Sequence, residues 1–132
     1  MRKSLTTIMV IGLTVGLLAV SNAHFVGVPS ITQHGDTIMA SGKIAGLGNV
    51  EQIHVVLSGD AQCVNPGGKE PSAANKETFT AEGDFPVQNG KALFSLSLDA
   101  VFQPPCVPPM TVSWSNLSIT VTASDGTFLT FP

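Results

Sequence analysis

The stretch TIMASGKI, Thr37–Ile44, alternates without a break: Ile38, Ala40, Gly42 and Ile44 share one parity, and Thr37, Met39, Ser41 and Lys43 share the other. Successive side chains of a strand point to opposite faces, so this pattern predicts a half-buried β-strand. The chain around it reads the same way. Phe25–Gln33 predicts a preceding strand, and His34-Gly35-Asp36 supplies the turn between the two. Gly46-Leu47-Gly48-Asn49 ends the alternation. With two glycines ahead of a strand it is a turn, and it cannot present helix amides to a phosphate. Val50–Ser58 then places Ile53, Val55 and Leu57 inward, which sends His54 and Val56 outward, with pairing able to resume through Ala61 and Cys63.

Between Asn65 and Asn75 turn-forming residues accumulate without periodicity, predicting a long exposed loop. Glu77–Glu82 and Phe85–Gln88 read as two short strands, the second closed by the hairpin signal Asn89-Gly90. Lys91–Leu98 alternates again, with Ala92, Phe94, Leu96 and Leu98 on one side. Residues 99–110 carry Pro104, Pro105, Pro108 and Pro109 around Cys106, predicting a stiff, extended connection. Val112 and Trp114 share one parity, whereas Leu117, Ile119 and Val121 share the opposite one. That change of frame at Ser115-Asn116 requires a β-bulge or a break between strands. Ser124-Asp125-Gly126 turns into a last strand, Thr127–Phe131.

The first 23 residues read as an export leader. Arg2 and Lys3 precede a 13-residue apolar run, Ile8–Val20, and Ser21 and Ala23 place small residues three and one before a cut that would make His24 the first residue. The run is shorter than the roughly 20 apolar residues of a membrane span. A cut after Ser21, leaving Asn22 first, is the competing site. Residues 24–132 then form a single domain with four lysines against nine acids, a net charge of −5. That balance argues against nucleic acid or anionic lipid as partners. No Cys follows the cut to carry a lipid, so no stable membrane anchor is expected after cleavage.

Two cysteines in an exported chain predict a Cys63–Cys106 disulfide; metal ligation by the pair is the alternative, disfavoured because neither has a second ligand at the usual spacing. The fold class is therefore all-β: an immunoglobulin-like β-sandwich of seven or eight antiparallel strands with one disulfide and Trp114 in the core. A small closed barrel is the competitor.

Motifs of catalysis are lacking, and no catalytic residue or cofactor is expected. The sequence contains no G-x-S-x-G, H-E-x-x-H, Walker or G-x-G-x-x-G element. Glu82 and Asp84 could act as an acid–base pair, but flanking Gly83 they read as a solvated loop end. For metal, the candidates are His24 and His54. A mature amino-terminal His24 would offer its α-amino nitrogen and Nδ1 to copper, an arrangement that resembles the histidine brace of copper-dependent polysaccharide monooxygenases and the site of CopC-like carriers. His34 lies ten residues from His24, roughly 33 Å along an extended strand, and His54 faces outward by parity, so no metal centre is expected. A sugar platform would need exposed aromatics, and the chain has one Trp and no Tyr. Asn116-Leu117-Ser118 matches the glycosylation sequon, a motif too short to carry an assignment.

Ala23–Val26 (AHFV), Gly42–Asn49 (GKIAGLGN), Gln62–Asn65 with Gly67-Gly68, Asn89-Gly90 and Cys106 ahead of Trp114 together resemble an uncharacterised family of small secreted bacterial proteins. The resemblance spans nearly the whole domain after the leader, and the Pro-rich 104–109 segment departs from it. It implies bacterial export and a two-cysteine β domain, and it implies no activity. The expectation is a secreted, non-enzymatic binding or structural module acting on an unknown extracellular ligand or protein, with loops 65–76 and 99–110 carrying specificity. A copper-binding or copper-oxidative protein using His24 is the alternative.

Overall fold

The computed structural model describes residues 22–67 and 76–132. Residues 1–21 of the predicted leader and most of the predicted 65–76 loop lie outside the described residues. Among the described residues eight strands follow in order: β1 (His24–Phe25), β2 (Ser30–His34), β3 (Thr37–Ala45), β4 (Gln52–Val64), β5 (Lys76–Pro86), β6 (Ala92–Asp99), β7 (Thr111–Ala123) and β8 (Phe128–Phe131). They form two antiparallel four-stranded sheets packed face to face. In the first, β3 pairs with β6 on one edge and with β1 and β2 on the other. In the second, the order is β5-β4-β7-β8. No described helix is long and apolar enough to cross a membrane.

The alternation of Thr37–Ile44 does what it predicts: Ile38, Ala40 and Ile44 are buried. They meet Ile53, Val55 and Leu57 of β4, Phe94 and Leu98 of β6, and Ile119 and Val121 of β7 in one core. Gly42 faces inward opposite Phe94, and a Cβ there would stand 2.8 Å from the ring. The missing side chain is what lets the aromatic fill that layer.

Four expectations are corrected. The first predicted strand, Phe25–Gln33, is two: Val26 N–H still reaches Lys43 O at 2.8 Å, but Gly27 takes φ +72° and Pro29 has no N–H, so the ladder to β3 lapses there and resumes at Ser30. Next, the two short strands over 77–88 are one 11-residue strand running through Gly83. Phe79, Ala81, Gly83 and Phe85 keep one parity throughout, and Gly83 accommodates Leu96 at 3.4 Å from where its Cβ would be.

The Asn89-Gly90 hairpin, third, closes only the Gln88–Lys91 bridge before β5 and β6 part into different sheets. Neighbouring backbone holds the chain there, through Val87 N–H to Glu51 O and Leu47 N–H to Gly90 O, each 2.9 Å. Last, β4 and β7 run as 13-residue strands past the predicted limits. At the change of frame Ser58 pairs with Ser118 and Asp60 with Ser115, so Asn116 and Leu117 oppose Gly59 alone. This is the bulge alternative of the two predicted.

Candidate functional site

Two surfaces carry the polar side-chain network and the disulfide-pinned connection of the fold. The first is the outer face of the β5-β4-β7-β8 sheet. Inward placement of Ile53, Val55 and Leu57 forces His54, Val56, Ser58 and Asp60 onto this face. His54 stands opposite Asp84 on β5 and Thr122 on β7. Its Nδ1 lies 2.8 Å from Asp84 Oδ1 and its Nε2 2.7 Å from Glu82 Oε1. Carboxylates at both nitrogens favour a proton on each, so hydrogen bonding to Asp84 and then to Glu82 raises the His54 pKa above its ordinary value. Glu82 and Asp84 are thus not a loop end. They flank Gly83 on one face of a continuous strand, and the unbroken parity from Phe79 to Phe85 was the signal for it.

Chemically, this trio is a latch between β4 and β5. Both ring nitrogens are hydrogen-bonded within the trio. All three side chains are partly open to water on a sheet face, with His54 39% exposed. Farther along the face, Asp60 accepts from Thr78 Oγ1 at 2.6 Å and from Asn116 Nδ2 at 2.9 Å. Asn116, then Thr78, stabilise the carboxylate and lower its pKa. The interaction ties the bulge, where Asn116 sits at φ +53°, to both neighbouring strands.

The histidines do not converge. Phe25 turns inward to an edge contact with Phe131, 6.1 Å between centroids, so its neighbour His24 faces outward on the first sheet, whereas His54 is on the outer face of the second. Packed sheets are about 10 Å apart, which puts the core between them. His24 pairs with Ala45 and His34 with Thr37, at opposite ends of β3. No group of three or more His, Cys, Asp or Glu side chains is arranged to hold a metal ion among the described residues.

The second surface is the end of the sandwich where β2 turns into β3, β4 leaves at Val64 and β6 runs into β7. Cys63 and Cys106 are disulfide-bonded across 43 residues, with Cα atoms 5.7 Å apart. The bond pins the middle of the proline-rich connection to the last part of β4. Phe102 plugs the core beneath it, with Ala61, Ala100 and Val112, and meets Phe79 edge-on at 5.5 Å. Above this plug the connection is open: Val101 is 66% and Val107 51% exposed, and residues 100–110 include no charge.

Gln33 and the β2–β3 turn hold the near side, through Gln33 Nε2 to Val112 O (3.1 Å) and Ala100 N–H to Asp36 O (3.1 Å). A shallow depression between them is lined by Gln33, Asp36, Cys106, Val107 and Met110. Of the predicted 65–76 loop, residues 65–67 are described and exposed at this same end.

Trp114 is half-buried over Gly59, and its ring meets Phe79 edge-on at 6.1 Å. Its indole N–H is buried and has no partner in the structure. Placed inside the sandwich, it offers no platform for a sugar.

No protein-family model matches the chain, and neither does any curated protein or solved structure. The class rests on the coordinates alone: a disulfide-bonded, two-sheet antiparallel β-sandwich.

Proposed function

We propose that this chain is an exported, non-enzymatic, immunoglobulin-like sandwich that binds an extracellular partner through the disulfide-pinned end formed by residues 100–110 and the β2–β3 turn. The observation that carries this reading is the construction of that end. A connection whose middle is bonded to Cys63, and whose base is plugged by Phe102, presents Val101 and Val107 to solvent on a rigid support. A rigid loop loses little conformational freedom on binding, so its exposed apolar area contributes more directly to affinity. The absence of charge in the connection suits an uncharged, partly apolar surface on another protein. Export is supported by the leader sequence and by the disulfide, which persists in oxidising compartments. The resemblance to small secreted two-cysteine proteins supports the same reading.

The test is a binding screen of the purified protein against extracellular proteins and soluble polysaccharides, repeated with Val101→Ser/Val107→Ser and with His54→Gln. Binding to a protein that is lost in the valine variant and kept in the His54 variant supports the proposal. Loss only with His54→Gln would move the site to the outer sheet face. Turnover of any component would make the protein an enzyme.

A further inference from the structure

The leader and the folded domain meet at Asn22 and Ala23, and the packing there bears on where the leader is cut. Ala23 is 8% exposed and belongs to the main core, together with Ile44 and Leu47. Asn22 lies against Gly46, the first residue after β3. A Cβ at Gly46 would overlap the Asn22 carbonyl oxygen and would stand 3.2 Å from Ala23 Cα. The same carbonyl oxygen is 2.8 Å from His24 Nδ1, so it accepts that ring N–H. Three features therefore serve Asn22 and Ala23: a core position filled by a methyl group, a glycine that leaves room for a backbone carbonyl, and a histidine that satisfies it. A cut after Ala23 would empty the core position and leave the glycine and the histidine without the carbonyl they accommodate.

The sequence offers another site. Ala19 and Ser21 are small residues three and one before the Ser21–Asn22 bond, which satisfies the same requirement as Ser21 and Ala23 do for the next site. We propose that the leader is removed after Ser21, so that the mature chain begins at Asn22 and keeps Ala23 in its core. This inference rests on the export reading above. Its consequence for chemistry is direct: His24 has an ordinary peptide nitrogen in the mature protein and cannot chelate a metal through a terminal amine.

The experiment is expression of the full chain with its own leader, followed by intact mass and amino-terminal sequencing of the exported protein. The expected product starts at Asn22, heavier by one Asn and one Ala residue than the chain starting at His24. A start at His24 overturns the proposal and leaves export intact. An unprocessed chain overturns both.

A second measurement reads the packing independently. Gly46 and Gly48 both have positive φ, +76° and +60°, so Ala at either carries backbone strain, but only Gly46 faces Asn22; Gly48 has nothing within 4 Å. In the exported protein Gly46→Ala should lower the thermal midpoint further than Gly48→Ala, by roughly 5 °C or more. Equal shifts would mean that Asn22 is gone.

Discussion

His54 and Asp84 are direct neighbours across the β4–β5 ladder, and their side chains meet on the outer face with 2.8 Å between Nδ1 and Oδ1. Glu82 closes the other side of the ring, and hydrogen bonding to Asp84 and then to Glu82 raises the pKa of the imidazole above its ordinary value. A raised folded pKa gives stability that is fully present below the ordinary histidine value near 6.5 and is lost as pH rises through the folded value. Stability should therefore fall through the neutral range, and His54→Gln should remove that dependence. An NMR titration of the imidazole protons checks it directly; a midpoint at or below the ordinary value would sink the latch.

Asp60 behaves in the opposite sense. Its pKa is lowered by Asn116 and Thr78, so its contribution is present above the ordinary carboxylate value and is lost as pH falls through the folded one. Asp60→Asn should flatten the acid limb of the stability–pH curve and leave the neutral limb to His54. Chemical denaturation between about pH 2 and 8 separates the two.

The bulge rests on Gly59. A Cβ there would be 2.5 Å from Leu117 Cδ2 and 3.1 Å from the Trp114 ring. Leu117 can rotate, but the indole is held by Phe79, so Gly59→Ala should destabilise by about 1–3 kcal/mol. Urea unfolding measures it, and a neutral outcome would mean that the bulge repacks.

Trp114 should emit at a blue-shifted wavelength and resist iodide quenching, because its ring is inside the sandwich. Trp114→Ala should cost about 3 kcal/mol, the low end for an aromatic truncation since the residue is half-buried. Free quenching in the folded protein would place the ring outside.

Paired Ser substitution of Cys63 and Cys106 should lower stability by about 2–5 kcal/mol, since the bond closes a long loop in the unfolded chain. Far-ultraviolet dichroism at low temperature should keep its strand signal. The losses should fall on Phe102 and the 100–110 connection, read by hydrogen exchange as faster opening there than in β3 or β7.

Period-two alternation decided much of this protein from sequence alone. The all-β class, the inward set Ile38, Ala40, Ile44, Ile53, Val55 and Leu57, the outward position of His54, the frame change at Asn116 and the cysteine pair are local or single-solution properties, and all are readable in the sequence. Which strands share a sheet was not. Asn89-Gly90 has a hairpin sequence, yet β5 and β6 separate because Glu51 and Leu47 hold the turn from outside.

Gly83 reads as a turn, yet it sits mid-strand because Leu96 needs the space above it. The meeting of His54 with Glu82 and Asp84, and the burial of Ala23 against the chain after β3, join residues far apart in sequence. Their proximity depends on strand register and sheet order, which arise from packing the two inner faces together and leave no local pattern in the chain.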